Sequence, residues 1–111
     1  MTAPRSEAAH ILGQRVKKSR LALRLTQSDV AHLARMDVAN YGKLERGDSN
    51  ATLTTIVQLA TVLEADPGAW MAGLAGADLL PPRSRPFTAS EFLAARTEHT
   101  RTHSGGTDPG R

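Results

Sequence analysis

Apolar residues recur at helical spacing over the first two-thirds of the chain. One set follows the i, i+4, i+7, i+8, i+11 pattern of a single helix face and predicts a first helix over residues 7–23. Its members are Leu12, Val16, Ser19, Arg20 and Leu23. No alternating apolar–polar pattern typical of a strand occurs anywhere in the chain. The pattern therefore predicts an all-α fold.

Polar residues that favour helix N-caps divide the rest of this region into four further helices. Thr26 is followed three residues later by Asp29, which predicts a capping box at the start of a short second helix ending near Ala34. Asp37 opens a third helix, which Gly47 stops. Thr52 opens a fourth helix whose expected core stripe is Leu53, Ile56, Val57, Leu59, Ala60 and Leu63. Asp66 and Pro67 open a fifth, running through Trp70 and Met71 and extending at most to Leu74.

The composition changes at Pro81-Pro82, where a segment rich in Pro and Arg predicts a linker. A short helix around Phe92 and Leu93 has too few apolar residues to fold alone. We expect residues 1–11 to be an N-terminal extension and the start of the first helix, 12–70 the main domain, and 71–80 its apolar end. Residues 81–111 are expected to be a linker and a largely disordered tail.

Charge is distributed unevenly along the 111 residues, although the net charge is only +3. Residues 1–50 hold nine Lys or Arg and five Asp or Glu, whereas residues 51–80 hold no Lys or Arg. This split permits a polyanionic partner but does not establish one. The chain has no cysteine, no apolar signal core and no run long enough to span a bilayer, so we expect a cytoplasmic protein without membrane contact.

Two short helices joined by the turn Arg35-Met36-Asp37 have the spacing of a helix-turn-helix, expected at about residues 26–45. The sequence LTQSDVA at 25–31 and the sequence LERG at 44–47 resemble the Cro/C1-type repressors, also called the XRE family. The resemblance extends without gaps over residues 12–70. It implies a five-helix, lambda-repressor-like DNA-binding domain, with a weakly structured C-terminal tail beyond it.

The resemblance also implies roles for individual residues. The positions matching Val38, Ala39 and Lys43 are the usual base readers, while Asn40 fits either an adenine edge or a phosphate. Residues implied to contact phosphate are Gln27, Arg46 and Asn50. Arg20 and Glu45 match a family ion pair between the first helix and the recognition helix, for which we expect a structural role.

This chain departs from the family pattern at four positions. Arg24 and Arg35 stand where relatives often have glycine, in a left-handed backbone conformation that costs another residue roughly 1 kcal/mol. Tyr41 replaces a core isoleucine, so its hydroxyl must find a partner or reach solvent. Gly42 lies inside the recognition helix, where a small residue would allow close approach to DNA.

These observations favour a sequence-specific regulator of transcription, expected to be a repressor that binds double-stranded DNA as a homodimer. The apolar residues near the fifth helix are the expected dimer contact: Trp70, Leu74, Leu79 and Leu80. For Trp70 and Leu74, a place in the core is the alternative. The alternative is an antitoxin-type module whose tail binds a partner protein and folds on binding. No nucleophile with a neighbouring base, phosphate-binding glycine loop or metal-ligand cluster stands out, so we expect no enzyme activity, cofactor or metal.

Overall fold

The computed structural model describes residues 6–76, 79–80 and 88–102, and these residues form six helices. The helices are α1 (Glu7–Ala22), α2 (Gln27–Leu33), α3 (Val38–Glu45), α4 (Leu53–Leu63), α5 (Pro67–Met71) and α6 (Ala89–Thr102). The all-α prediction is confirmed for the part of the chain described, and α1–α5 are the five expected helices. No helix in the described ranges is both long and apolar enough to cross a membrane.

The predicted N-caps open the helices where the sequence indicated. Thr26 and Asp29 form the reciprocal capping box of α2, since the Thr26 Oγ1 accepts from the Asp29 N–H and the Asp29 carboxylate accepts from the Thr26 N–H. The side chains of Thr52 and Asp66 cap α4 and α5, each by accepting one backbone N–H group, without a reciprocal bond. Asp37 occupies the N-cap of α3 but makes no side-chain cap bond.

The core lies where α1, α2, α3, α4 and α5 meet. The most deeply buried large side chains come from four different helices: Val16, Val30, Tyr41 and Leu59. The predicted stripe of α4 is wrong at two positions, because Leu53 is 76% exposed and Val57 is 46% exposed. The core covers only one side of an 11-residue helix, so these two apolar side chains stay at the surface.

Two glycines let α1 lie directly against the end of α3. A Cβ at Gly13 would overlap the carbonyl oxygens of Leu44 and Glu45, so only glycine fits there. Gly47 follows α3 with φ +78°, and a Cβ there would press on the backbone of His10. These contacts fix the distance between α1 and the C-terminal end of α3.

The short helix α5 is attached to α1 by polar contacts. The Trp70 indole Nε1 donates to the Ser19 Oγ (3.0 Å), and the Arg15 Nη1 donates to the carbonyl oxygens of Trp70 (2.9 Å) and Ala72 (2.6 Å). Trp70 is only 3% exposed. Of the two places expected for Trp70, the core and the dimer contact, it therefore takes the core, because its ring is packed inside the domain.

The chain after α5 returns to the start of α1. The Ala8 N–H donates to the Leu79 carbonyl oxygen (2.9 Å), while the Ser6 Oγ accepts from the Ala9 N–H and caps the same turn. Further along, α6 is a longer helix than the short one expected around Phe92, and all its side chains from residue 89 to 97 are exposed. The remainder of the predicted linker and tail, and residues 1–5, lie outside the described residues.

Candidate nucleic-acid interface

Helix α3 has one face in the core and another in solvent. Tyr41 and Leu44 are buried, at 0% and 3% exposure, and anchor the helix against α1 and α2. The four predicted base-contacting side chains are all exposed: Val38, Ala39, Asn40 and Lys43. Asn40 precedes the buried Tyr41 by one residue, and Lys43 follows it by two. Their side chains therefore project from the face of α3 opposite to the one that packs in the core.

The Glu45 carboxylate connects α3 to α1 and α2. Arg20 donates through Nε to the Glu45 Oε2 (2.6 Å) and through Nη2 to the Oε1 (3.0 Å), which forms the ion pair expected from the resemblance. The Gln27 Nε2 also donates to Oε1 (2.9 Å), and the Tyr41 hydroxyl donates to Oε2. Arg20 Nη1 donates in addition to the Leu25 carbonyl oxygen (2.8 Å) before α2. We call Arg20, Gln27, Tyr41 and Glu45 the Glu45 network.

Burial and the hydrogen bonds of the Glu45 network shift the pKa values of its titratable members. Burial raises the pKa of Glu45, but hydrogen bonds from Arg20, Tyr41 and Gln27 outweigh it and hold the pKa below its ordinary value. The hydrogen bond to Glu45 raises the pKa of Arg20 despite its burial. Burial, assisted by the Glu45 carboxylate, raises the pKa of the Tyr41 phenol. The three groups are therefore a carboxylate, a guanidinium and a neutral phenol at neutral pH.

The residues expected at phosphates lie around the ends of α2 and α3. Gln27 is half-buried at the first position of α2, and Arg46 and Asn50 are exposed after α3. Arg46 forms no ion pair with any residue in the described ranges. Its charge is thus not neutralised by a neighbouring carboxylate.

Arg24 and Arg35, which stand where relatives often have glycine, both have the left-handed backbone conformation that the resemblance implies. Arg24 has φ +59° and Arg35 has φ +58°, in the left-handed region. Arg24 follows α1 and Arg35 follows α2, so each reverses the chain after a helix. The turn of the helix-turn-helix is therefore formed without glycine.

Three features of the interface were not anticipated from the sequence. The Tyr41 hydroxyl has a specific acceptor in Glu45, which the i, i+4 spacing of the two residues could have indicated. The guanidinium of Arg15, on α1, binds the backbone of α5 and of the residue after it. Gly42 is buried, and the ends of the Gln27 and Arg46 side chains lie next to the position that a Cβ would take there.

The described residues contain no cluster of three or more His, Cys, Asp or Glu side chains able to hold a metal ion. What α3 and its surroundings offer instead is a surface of exposed amide, ammonium, guanidinium and small apolar groups on a rigid helix. Such groups match base edges and phosphates.

Comparisons with known proteins agree with this geometry. A helix-turn-helix family profile matches residues 16–70. The restriction-modification controller protein C.AhdI from Aeromonas hydrophila is 35% identical, with a TM-score of 0.55, over 56% of this chain and 94% of that one. A search among curated proteins finds no match.

Two further solved structures share the fold. The clp gene regulator ClgR from C. glutamicum has a TM-score of 0.58 at 20% identity, over 67% of this chain and 96% of its own. A transcriptional regulator from Vibrio cholerae has a TM-score of 0.55 at 25% identity, over 74% of this chain and 52% of its own. With the profile match, the helix-turn-helix geometry and the C.AhdI similarity together, the chain belongs to the Cro/C1-type helix-turn-helix family of DNA-binding regulators.

Proposed function

We propose that this protein binds specific double-stranded DNA sequences, reads the major groove with α3 and represses transcription from the promoters it occupies. The observation that carries the proposal is the arrangement of α3. Its inner face is locked by Tyr41, Leu44 and Glu45, while four side chains on its outer face are free for contact. A helix held in this way fits the major groove with little further ordering.

Each exposed side chain of α3 suits a particular base edge. Lys43 can donate to the O6 or N7 of guanine, and Asn40 can pair with the N6 and N7 of adenine or donate to a phosphate. Val38 and Ala39 can make only apolar contacts, such as with the thymine methyl group. Sequence preference should therefore depend most on Lys43.

The residues beside α3 contribute affinity without sequence preference. Arg46 supplies an unneutralised positive charge, and Gln27 and Asn50 supply amide donors close to the helix ends. Contacts of this kind to the phosphate backbone set register and orientation on the duplex. They also make binding weaken as the salt concentration rises.

We infer that the protein acts as a homodimer on a partly palindromic site, with half-sites one helical turn, roughly 34 Å, apart. Two exposed apolar residues of α4, Leu53 and Val57, lie one turn apart and form an apolar surface on a helix that contains no charged residue. Two copies can bring this surface together without repulsion between like charges. The similarity to C.AhdI, a restriction-modification controller protein, supports a role in gene control.

A direct DNA-binding measurement tests the proposal. Fluorescence anisotropy with fragments from the genomic neighbourhood of the gene should reveal salt-sensitive binding to one fragment over unrelated duplexes. Lys43→Ala should change which sequence is preferred, whereas Arg46→Ala should weaken all sites and reduce the salt slope by about 1. The proposal is wrong if no fragment is bound selectively in a salt-dependent way.

A repressor role has its own test, because selective binding alone does not distinguish a repressor from an activator. Transcription in vitro from a promoter containing the selected site should fall as the protein is added. Lys43→Ala is the matched control and should leave this transcription unchanged at the same concentration. A rise in transcription with wild-type protein would contradict repression while leaving DNA binding intact.

A second candidate, the antitoxin-type module, is favoured by α6, on which Phe92 and Leu93 are 53% and 54% exposed. This apolar pair would be covered by a partner protein. Co-expression with the product of the adjacent gene tests it: a complex should form with the full chain but not with residues 1–80. Stable binding by residues 1–80 would exclude the tail as the contact.

A further inference from the structure

Asp37 differs from the N-cap residues of the other helices among α1 to α5. Each of the other four accepts a backbone N–H through its side chain: Ser6, Thr26, Thr52 and Asp66. The Asp37 carboxylate makes no such bond, although Asp is among the best N-cap residues. It also forms no ion pair with a residue in the described ranges. Both of its oxygens are therefore left as hydrogen-bond acceptors.

This carboxylate lies at the start of α3, the helix that the proposed function places in the major groove. Residues 37–40 are all exposed, and the two that follow Asp37 are the apolar Val38 and Ala39. The other polar groups on the exposed face of α3 are the Asn40 amide and the Lys43 ammonium group. Among these side chains, Asp37 alone carries a negative charge and accepts hydrogen bonds without donating any.

A carboxylate is selective about the groups that it approaches on a duplex. Phosphate oxygens repel it because they are negatively charged, and so do the acceptor atoms of guanine and thymine in the major groove. The donors there are the amino groups at adenine N6 and cytosine N4. Adenine N6 lies between two acceptors, adenine N7 and thymine O4, whereas cytosine N4 has an acceptor on one side only, guanine O6. Cytosine is therefore the base that suits an unbonded carboxylate best.

We propose that Asp37 is a specificity-determining residue whose carboxylate accepts a hydrogen bond from the N4 amino group of a cytosine in each half-site. This inference rests on the proposed function and deepens it by adding a base contact to that of Lys43. The same carboxylate repels acceptors and phosphates, so a duplex without cytosine at this position is bound less well. Asp37 thus raises selectivity and lowers the affinity for unrelated DNA.

Asp37→Asn removes the charge and keeps the shape of the side chain. Asn is as good an N-cap as Asp, and Asp37 has no cap bond to lose, so the thermal unfolding midpoint should change little. The amide donates as well as accepts and therefore tolerates guanine and thymine. The preference for cytosine at one position of the half-site should fall from about tenfold to about twofold. Binding to unrelated duplexes should strengthen about threefold, because a negative charge is removed.

Anisotropy titrations measure this preference on sets of four duplexes, which carry the four possible base pairs at one position of the selected site. Asp48→Asn is the matched control, because it removes the same charge just after α3, where Asp48 forms no ion pair with a described residue. It should affect binding to the four duplexes equally and leave the cytosine preference unchanged. Thermal unfolding of both variants measures the effect on folding.

The outcomes distinguish this inference from the proposed function. Failure of the wild-type protein to bind any duplex selectively contradicts the proposed function itself. Selective wild-type binding with the same base preferences in Asp37→Asn overturns the role of Asp37 alone. Equal strengthening of all four duplexes by Asp37→Asn also overturns it, because the carboxylate would then only repel DNA. A preference for adenine that is lost in Asp37→Asn would overturn the assignment to cytosine.

Discussion

At the scale of single residues, the Glu45 carboxylate makes more hydrogen bonds than any other charged side chain in the part of the chain that the structure describes. Its carboxylate accepts four hydrogen bonds from three residues on three different helices, and its side chain is 3% exposed. A buried charge is tolerated only when its hydrogen-bonding capacity is filled in this way. Loss of any of these hydrogen-bond donors should therefore change the position of α3 relative to α1 and α2.

The depressed pKa of Glu45 predicts an acid-sensitive contribution to stability. This contribution is complete above the unfolded pKa of about 4.3 and is lost as pH falls through the lower folded pKa. Glu45→Gln should lower the free energy of unfolding by about 3–5 kcal/mol at pH 7, since it leaves Arg20 buried without a counter-charge. The deficit should shrink below about pH 4 in urea titrations. A deficit independent of pH would contradict the assignment.

Replacing the Tyr41 phenol by a phenyl ring isolates one donor of the Glu45 network. Tyr41→Phe should destabilise the domain by about 1.5–3 kcal/mol, the range for a hydrogen bond to a charged group. It should also move the acid-unfolding midpoint to higher pH, because the pKa of Glu45 rises when a donor is lost. Ser19→Ala, which removes the neutral acceptor of Trp70, is the control: it should lower the free energy of unfolding by an amount that does not change with pH.

At the scale of helices, the residues that follow α1 and α2 have backbone strain that glycine would relieve. Arg24 and Arg35 both have positive φ, where a Cβ is unfavourable by about 1 kcal/mol. Arg24→Gly and Arg35→Gly should each raise the free energy of unfolding by roughly 0.5 kcal/mol, once the greater freedom of glycine in the unfolded chain is included. Urea denaturation measures the change.

The matched control for these substitutions is Lys18→Gly, at an exposed position within α1. It should lower the free energy of unfolding by about 1 kcal/mol, because glycine is unfavourable inside a helix. If Arg24→Gly and Arg35→Gly destabilised the domain as much as Lys18→Gly does, the positive φ angles would not be a source of strain.

The sequence predicted helix starts better than it predicted burial. Caps such as Thr26 with Asp29 are local: the hydrogen bonds join residues three positions apart, so the pattern determines them. Whether Leu53 and Trp70 are buried depends on which residues pack against them, and no local sequence pattern contains that information. The link between Gln27 and Glu45 likewise joins residues 18 positions apart.

At the scale of the whole molecule, the exposed apolar surface of α4 predicts where two copies meet. Leu53→Glu would place a charge on each copy at the proposed contact and should weaken self-association about tenfold in sedimentation measurements. Binding to a two-half-site duplex should weaken as well, whereas binding to a single half-site should not change. Gln58→Glu adds the same charge elsewhere on α4 and should have little effect. Equal effects of both substitutions would exclude this surface.

The hydrogen bond from the Ala8 N–H to the Leu79 carbonyl has a consequence for how the domain ends. The first turn of α1 is completed by a group 71 positions further along the chain, so both ends of the folded unit lie side by side. We therefore expect the folded unit to extend through Leu79, within the segment 71–80 predicted as the apolar end of the domain. A chain cut after Gly76 should lose protection from amide hydrogen exchange at Ala8, while one cut after Leu80 should keep it. Joining the neighbouring ends by a short linker and opening the chain elsewhere should preserve the fold.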